Sequence, residues 1–373
     1  MKRKIKINKQ IFSAIGAGAI IAVVIVWLLI SMCMPHKIGA EPIEIPPDTI
    51  SGHDFDIMGN RLLLMNTMGL RCYDKNGEYV WDYTIKTANP YIVSSGNRIA
   101  IADVKNAQAT VLKKNKVSYQ IEELTPITGV VVNENGYLGI ISSEHGYRSV
   151  FTIYDDFGNM YYKWHSGESY IASASIAGNN DNMAVAGLST TENDIRTTIS
   201  FFDMDKTEPI GEAYLDGVVA YKIIHSGTNV YVLTDKGIYC YNKKGTLKDS
   251  YSFVGRTLHS YSFDSADDIA ICLSRTDDAG SMLSGSQVIS LTKSLKEKSM
   301  VSLGFEASAM DAKKDTVVVS GLRNVCVLKR SGRIIAEGTL KNDANRIKLF
   351  ENGKSFVTLE GSLATIYNVK IGF

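Results

Sequence analysis

Beyond residue 50, short apolar runs punctuated by polar turns fill the chain, and the runs are of two kinds. In one kind consecutive residues are apolar, as in LLLM from Leu62 and VVV from Val317. Successive side chains of a strand point to opposite faces, so a run of this kind must be covered on both. In the other kind apolar and polar residues alternate and charges intrude, as in TLKDSYSF from Thr246. That pattern suits the edge of a sheet. Glycine turns (KNG, KKG, RSG, DFG) separate the runs and supply the positive φ of tight hairpins. No amphipathic helical period appears in this part of the chain, and the turn density excludes a helical solenoid.

The pattern repeats. GNRLLLMNTMGLRCYDKNGEYVWDY (Gly59 to Tyr83) is restated as GTNVYVLTDKGIYCYNKKGTLKDSYSF (Gly227 to Phe253). A further short strand precedes each second strand, for example VAYKIIHSG (Val219 to Gly227). Units of about 42 residues are the spacing of propeller blades. The expectation is an all-β, eight-bladed β-propeller over residues 48–373. Seven blades is the alternative, because the sixth unit is irregular. The eighth unit lacks an outer strand, and IEI at Ile43 to Ile45 is available to supply it and close the ring.

Charge and hydropathy divide the remainder. Lys2, Arg3, Lys4, Lys6, Lys9 and Lys37 precede the first acidic residue, Glu41, and residues 41–373 carry 34 basic against 39 acidic side chains. A mildly acidic body without basic blocks argues against nucleic acid. Ile11 to Met34 holds 24 consecutive residues without a charge, enough to cross a hydrocarbon core of about 30 Å as a helix. It is too long for a signal-peptide core, and no good cleavage site follows it. Residues 1–10 therefore read as a cytoplasmic basic tail and 11–34 as a single transmembrane anchor. Residues 35–47 read as a proline-rich stalk, and the propeller falls outside the cytoplasm. Ala14, Gly18 and Ala22 form a small-residue row that offers a homodimer contact within the span.

YDKNGEYVWDY, with Gly77 and then Trp81, resembles the pyrroloquinoline-quinone-type propeller repeat. The body as a whole resembles quinoprotein-like and WD40-like propellers, including the bacterial lipoprotein propeller that serves outer-membrane assembly as a scaffold. With its anchor it also resembles a group of membrane-anchored propellers of Gram-positive bacteria. The resemblance implies the fold more than the job.

Little chemistry is visible. The quinone family's vicinal disulfide is missing, and only Trp81 and Trp164 lie outside the span, so no cofactor is expected and the tryptophans read as packing between blades. The six histidines form no close ligand pair, and no CxxC exists, so no metal site is expected. Cys72 and Cys240 occupy equivalent places in different repeats, too far apart for a disulfide, and read as buried thiols. An enzyme acting on envelope glycans would need carboxylates gathered on innermost strands. Asp54, Asp56 and Asp264 are the candidates, without a readable pairing. An extracellular sensor is a further alternative. The preferred reading is a binding or scaffold module, not an enzyme, with a protein or envelope polymer as partner. Long junctions between second and third strands occur in three units, all on one face of the ring. They nominate Glu144, His145, Tyr147, Arg148, Glu192, Asp194, Arg196, Arg275, Asp277 and Asp278 as the contact surface.

Overall fold

In the computed structural model the residues described are 23–24, 26, 36–38, 41–45, 54–192, 194–276 and 282–369. They form eight sheets, each built around four antiparallel strands that are consecutive in the chain or, at the ring's join, come from both of its ends. Blade 1 takes Asp54–Met58, Arg61–Asn66, Gly69–Asp74 and Tyr79–Thr84 from the centre outward. The others follow in order, and their innermost strands begin at Pro90, Ile127, Tyr170, Ala220, Leu258, Ala309 and Arg346. In blade 8 the outermost strand is Ile43–Ile45, paired antiparallel with Leu363–Asn368, so the two ends of the domain share one sheet. Eight blades are present, which excludes seven.

The core explains the two kinds of run. Eight hydrophobic clusters lie between adjacent blades, one at each interface around the ring. Second strands supply both of their faces. Leu63 and Met65 pack toward blade 2, whereas Leu62 and Leu64 pack toward blade 8. Trp81 joins the cluster between blades 1 and 2, and Trp164 meets Phe202 of blade 4 edge-on at 5.0 Å between ring centroids. Outermost strands bury alternate residues at most, as in Leu247–Ser252. Cys72, Cys240, Cys272 and Cys326 are buried free thiols, and burial pushes Cys272 and Cys326 up to about 12.

One turn is reused between third and outermost strands. Asp74 accepts from the backbone N–H of Asn76 and Glu78, Asp155 from those of Phe157 and Asn159, and Asn242 from those of Lys244 and Thr246. Gly77, Gly158 and Gly245 follow three residues after the acceptor with φ of 80°, 87° and 84°. The side chain replaces a missing backbone acceptor and glycine takes the left-handed residue, which is why the repeat is legible as D/N-x-x-G.

Two faces of the ring follow from strand alternation. Junctions between second and third strands, and between blades, lie on what we term the loop face. The remaining hairpins lie on the turn face. Two expectations about the N-terminal region change or fall outside the described residues. The proline-rich stretch is more than a stalk: besides Ile43–Ile45, His36–Lys37 pairs in parallel with Ala336 and Glu337 and adds a fifth strand to blade 7. Among the described residues no helix is long and apolar enough to cross a membrane. The predicted span 11–34 and its Ala14, Gly18, Ala22 row lie outside them, apart from helical Val23, Val24 and Val26.

Candidate functional site

The loop face of blades 3 and 4 gathers part of the predicted contact set. Glu144, in the blade 3 junction, accepts from Lys163 Nζ at 2.8 Å and lies 3.2 Å from His165 Nε2. The Lys163 and His165 hydrogen bonds hold its carboxyl below the usual range. Tyr147 lies over His165, with ring centroids 4.4 Å apart. Arg148 donates to the Tyr170 hydroxyl at 3.1 Å, with its guanidinium 5.5 Å from that ring's centroid. On blade 4, Arg196 Nε donates to Asp216 at 2.6 Å and its guanidinium sits 5.6 Å from the Tyr214 ring. Asp194 shapes its own loop, accepting from the Ile195 N–H and donating its backbone N–H to Thr191 Oγ1.

The remaining candidates do not join this group. His145 and Glu192 are exposed on the same two loops, and Arg275 is half-buried two blades further round, on blade 6. Asp277 and Asp278 lie outside the described residues. Sequence reading missed Lys163, His165, Tyr170 and Tyr214, although Tyr170 and Tyr214 are 57% and 55% exposed. A signal existed. YKWHS and EAYLD alternate as edge strands, and the aromatic in EAYLD falls on the solvent phase of that alternation.

The second region is the central channel, a cavity of about 820 Å³ lined by the innermost strands. Sequence-nominated Asp54, Asp56 and Asp264 do converge there, and each has a cation. Arg346 Nη2 reaches Asp54 at 2.5 Å while its guanidinium lies 4.7 Å from the Phe55 ring centroid. Lys348 bridges Asp56 at 3.1 Å and Asp264 at 3.8 Å, and Lys222 binds Asp264 at 2.5 Å. The Lys222 charge, opposed by burial and reinforced by Lys348, holds the Asp264 carboxyl well below its usual range. Burial works to lower Lys348, yet Asp264 and Asp56 outweigh it and the net direction is up. Although Asp264 and Lys222 are each 36% exposed, the space they face is this narrow channel, where the protein surrounds them and weakens bulk screening.

The channel also contains a repeated latch. Asp54 and Asp56 accept from the backbone N–H groups of Ile92 and Ser94 on blade 2. Ser173 and Ser175 do the same for Ile223 and His225 on blade 5, Ser262 for Ala312 on blade 7, and Asp311 for Leu349 on blade 8. Innermost strands are not paired with one another, so these acceptors satisfy amides that would face the channel unbonded. Burial raises the Asp311 carboxyl, and Ser262 Oγ donates to it as well. Burial pushes His225 down to about 4, which leaves its imidazole neutral at pH 7. A general acid needs a raised carboxyl that a substrate can reach. Asp311 is raised but 3% exposed, and accessible Asp264 is lowered. The geometry is that of a ring fastened from within. Among the described residues, no group of three or more His, Cys, Asp or Glu side chains is placed to hold a metal ion.

The chain belongs to a family of unknown function (DUF5711), whose profile matches residues 45–367. No curated protein matches it. Solved structures are similar in fold. The C-terminal WD40 domain of Sif2 aligns with TM-score 0.64 at 11% identity, over 90% of this chain and 99% of that one. Sqt1 of Saccharomyces cerevisiae aligns with TM-score 0.63 at 9% identity, over 90% and 100%. BamB of Moraxella catarrhalis aligns with TM-score 0.54 at 9% identity, over 88% and 100%. At these identities the likeness is one of fold alone: a WD40-like β-propeller.

Proposed function

We propose that the chain is a membrane-tethered, extracytoplasmic scaffold that binds a protein or envelope polymer through the loop face of blades 3 and 4 and performs no catalysis. The observation that carries this reading is a set of aromatic contacts on two adjacent blades: the Tyr147–His165 ring pair and two cation–aromatic pairs, Arg148 with Tyr170 and Arg196 with Tyr214. Tyrosine and arginine are enriched where interfaces concentrate their energy, and a protein partner suits them best. The two arginines are held ready: one guanidinium is fixed by the Tyr170 hydroxyl and the other by the Asp216 carboxylate, so less freedom is lost on binding. The basic tail, the long apolar segment and the resemblance to membrane-anchored propellers of Gram-positive bacteria support the tether and its direction.

The test is crosslinking in the native membrane with wild type and with the variant Tyr147→Ala/Arg148→Ala/Arg196→Ala. Wild type captures a defined partner and the folded triple variant does not. Equal capture by both overturns the reading. Protease added to intact protoplasts tests the tether separately: it digests the propeller if the orientation is correct and spares it if the propeller is cytoplasmic.

A further inference from the structure

The turn face carries an uneven charge that the proposed scaffold role leaves unused. In the turns of blades 5 to 8, Lys243, Lys244, Lys293, Lys296, Lys314 and Lys354 are exposed. The acids of these turns that lie outside the channel are largely matched already. Asp267 pairs with Lys293 at 2.8 Å, Glu351 with Lys314 at 3.6 Å, and Asp315 with Lys329 at 3.4 Å. Lys243, Lys244, Lys296 and Lys354 pair with no carboxylate among the described residues. A recess of about 500 Å³ opens between blades 5 and 6, lined in part by Lys248 and Lys293. The corresponding turns of blades 1 to 4 and the strand ends beside them are near balance, with Glu78, Glu134, Asp181, Asp205 and Glu208 exposed against Arg61, Lys75, Lys113, Lys114, Lys116 and Lys206.

The path of the chain points to the same place. The outermost strand of blade 7, Ile334–Thr339, runs from the turn face toward the loop face, and His36–Lys37 runs parallel to it. The chain therefore reaches the ring from the turn face, at the blade in the middle of the basic arc. In the sequence only Pro35 separates His36 from the end of the predicted span at Met34. An extended residue spans about 3.5 Å. A tether so short brings the turn face of blade 7 against the bilayer, within the roughly 8 Å over which charge attraction persists at physiological ionic strength.

We propose that the turn face of blades 5 to 8 docks on the membrane surface by binding anionic lipid headgroups. Clustered lysines beside a membrane anchor are recruited to such a surface. The loop face of blades 3 and 4 is then displayed away from the bilayer, across the ring and on its other side. This inference rests on the tethered reading above.

The full chain, in nanodiscs of phosphatidylcholine alone or with phosphatidylglycerol added, is footprinted by lysine acylation and mass spectrometry. Acylation of Lys243, Lys244, Lys296 and Lys354 is expected to slow at least three-fold in the anionic discs. Lys75 and Lys163 should not change, and the difference should vanish in 1 M salt. Equal rates in both discs, or protection centred on blades 1 to 4, overturn the proposal. Should the chain fail to enter nanodiscs, the tether is wrong, and free phosphatidylglycerol vesicles are added to it instead. Protection of the four lysines then upholds the lipid surface, and its absence overturns it.

Discussion

The channel wall and the rim of blades 3 and 4 use the same side chains for different ends. Both set arginine or lysine against carboxylates and aromatic rings: Arg346 with Asp54 and Phe55 in the channel, Arg196 with Asp216 and Tyr214 on the rim. In the channel the carboxylates are largely withdrawn from water, with Asp54 and Asp56 side chains 10% and 12% exposed, and they also accept backbone amides of the next blade. On the rim Asp216 is 65% exposed, and its arginine partner is held over a ring that itself faces solvent. Charge is structural where it closes a seam between blades. It is free for recognition where a seam does not depend on it.

Mutations that exchange these roles should separate the two regions. The largest effect is expected from Lys348→Met, which leaves Asp56 and Asp264 without their bridging cation and removes one of the two lysine charges that act on Asp311. Breaking a dry ion pair costs about 3–5 kcal/mol. Lys348 is 29% exposed, so solvent screens part of that cost and about 2–3 kcal/mol is expected here, read as a lowered denaturation midpoint in urea. A midpoint equal to that of wild type would contradict the latch account.

Acid should expose the same dependence. The folded Asp264 carboxyl lies below its unfolded value of about 3.9, so its contribution is fully present above pH 4 and is lost as pH falls through the folded value. Lys348 behaves in mirror image: with a raised folded value, its contribution is present below about pH 10.4 and is lost above it. Melting temperature should thus fall below pH 4 in wild type and fall less steeply in Asp264→Asn. Parallel curves would show that Asp264 is not the acid-sensitive group.

A neutral latch should matter less than an ionic one. Ser175→Ala removes the acceptor of the His225 amide, a loss of about 1 kcal/mol by the usual cost of an unmet hydrogen bond. A cost equal to that of Lys348→Met would erase the distinction between the seams. The smallest effect belongs to the rim. Arg148→Ala and Arg196→Ala each remove exposed pairs, and urea denaturation midpoints should be indistinguishable from that of wild type.

How much of this was legible in the sequence depends on whether an interaction is local and repeated. The blades were, because doubly covered second strands and D/N-x-x-G turns recur, and the missing outer strand of the last unit pointed to Ile43–Ile45. His36–Lys37 was not, since two residues carry no alternation to read. The channel was half legible. Asp54 and Asp56 stood out as acids on an innermost strand, but their cations, Arg346 and Lys348, are 292 residues away. Only ring closure brings them together. Aligning the units by position would have helped, because Asp56, Ser175, Ser262 and Asp311 all accept from the next blade. On the rim, loop length exposed Glu144, Tyr147, Arg148 and Arg196. It was blind to Tyr170 and Tyr214, which are carried by strands.

The central claim is that the rim of blades 3 and 4 meets the partner. Site-specific photocrosslinking in the native membrane tests it most directly, with a photoreactive phenylalanine derivative placed at Tyr147, Tyr170 or Tyr214 and, for contrast, at Tyr79. Tyr79 is 59% exposed at the turn-face end of blade 1. The account predicts one discrete adduct, common to the three rim positions and missing from Tyr79. No adduct from the rim, or the same adduct from Tyr79, would contradict it.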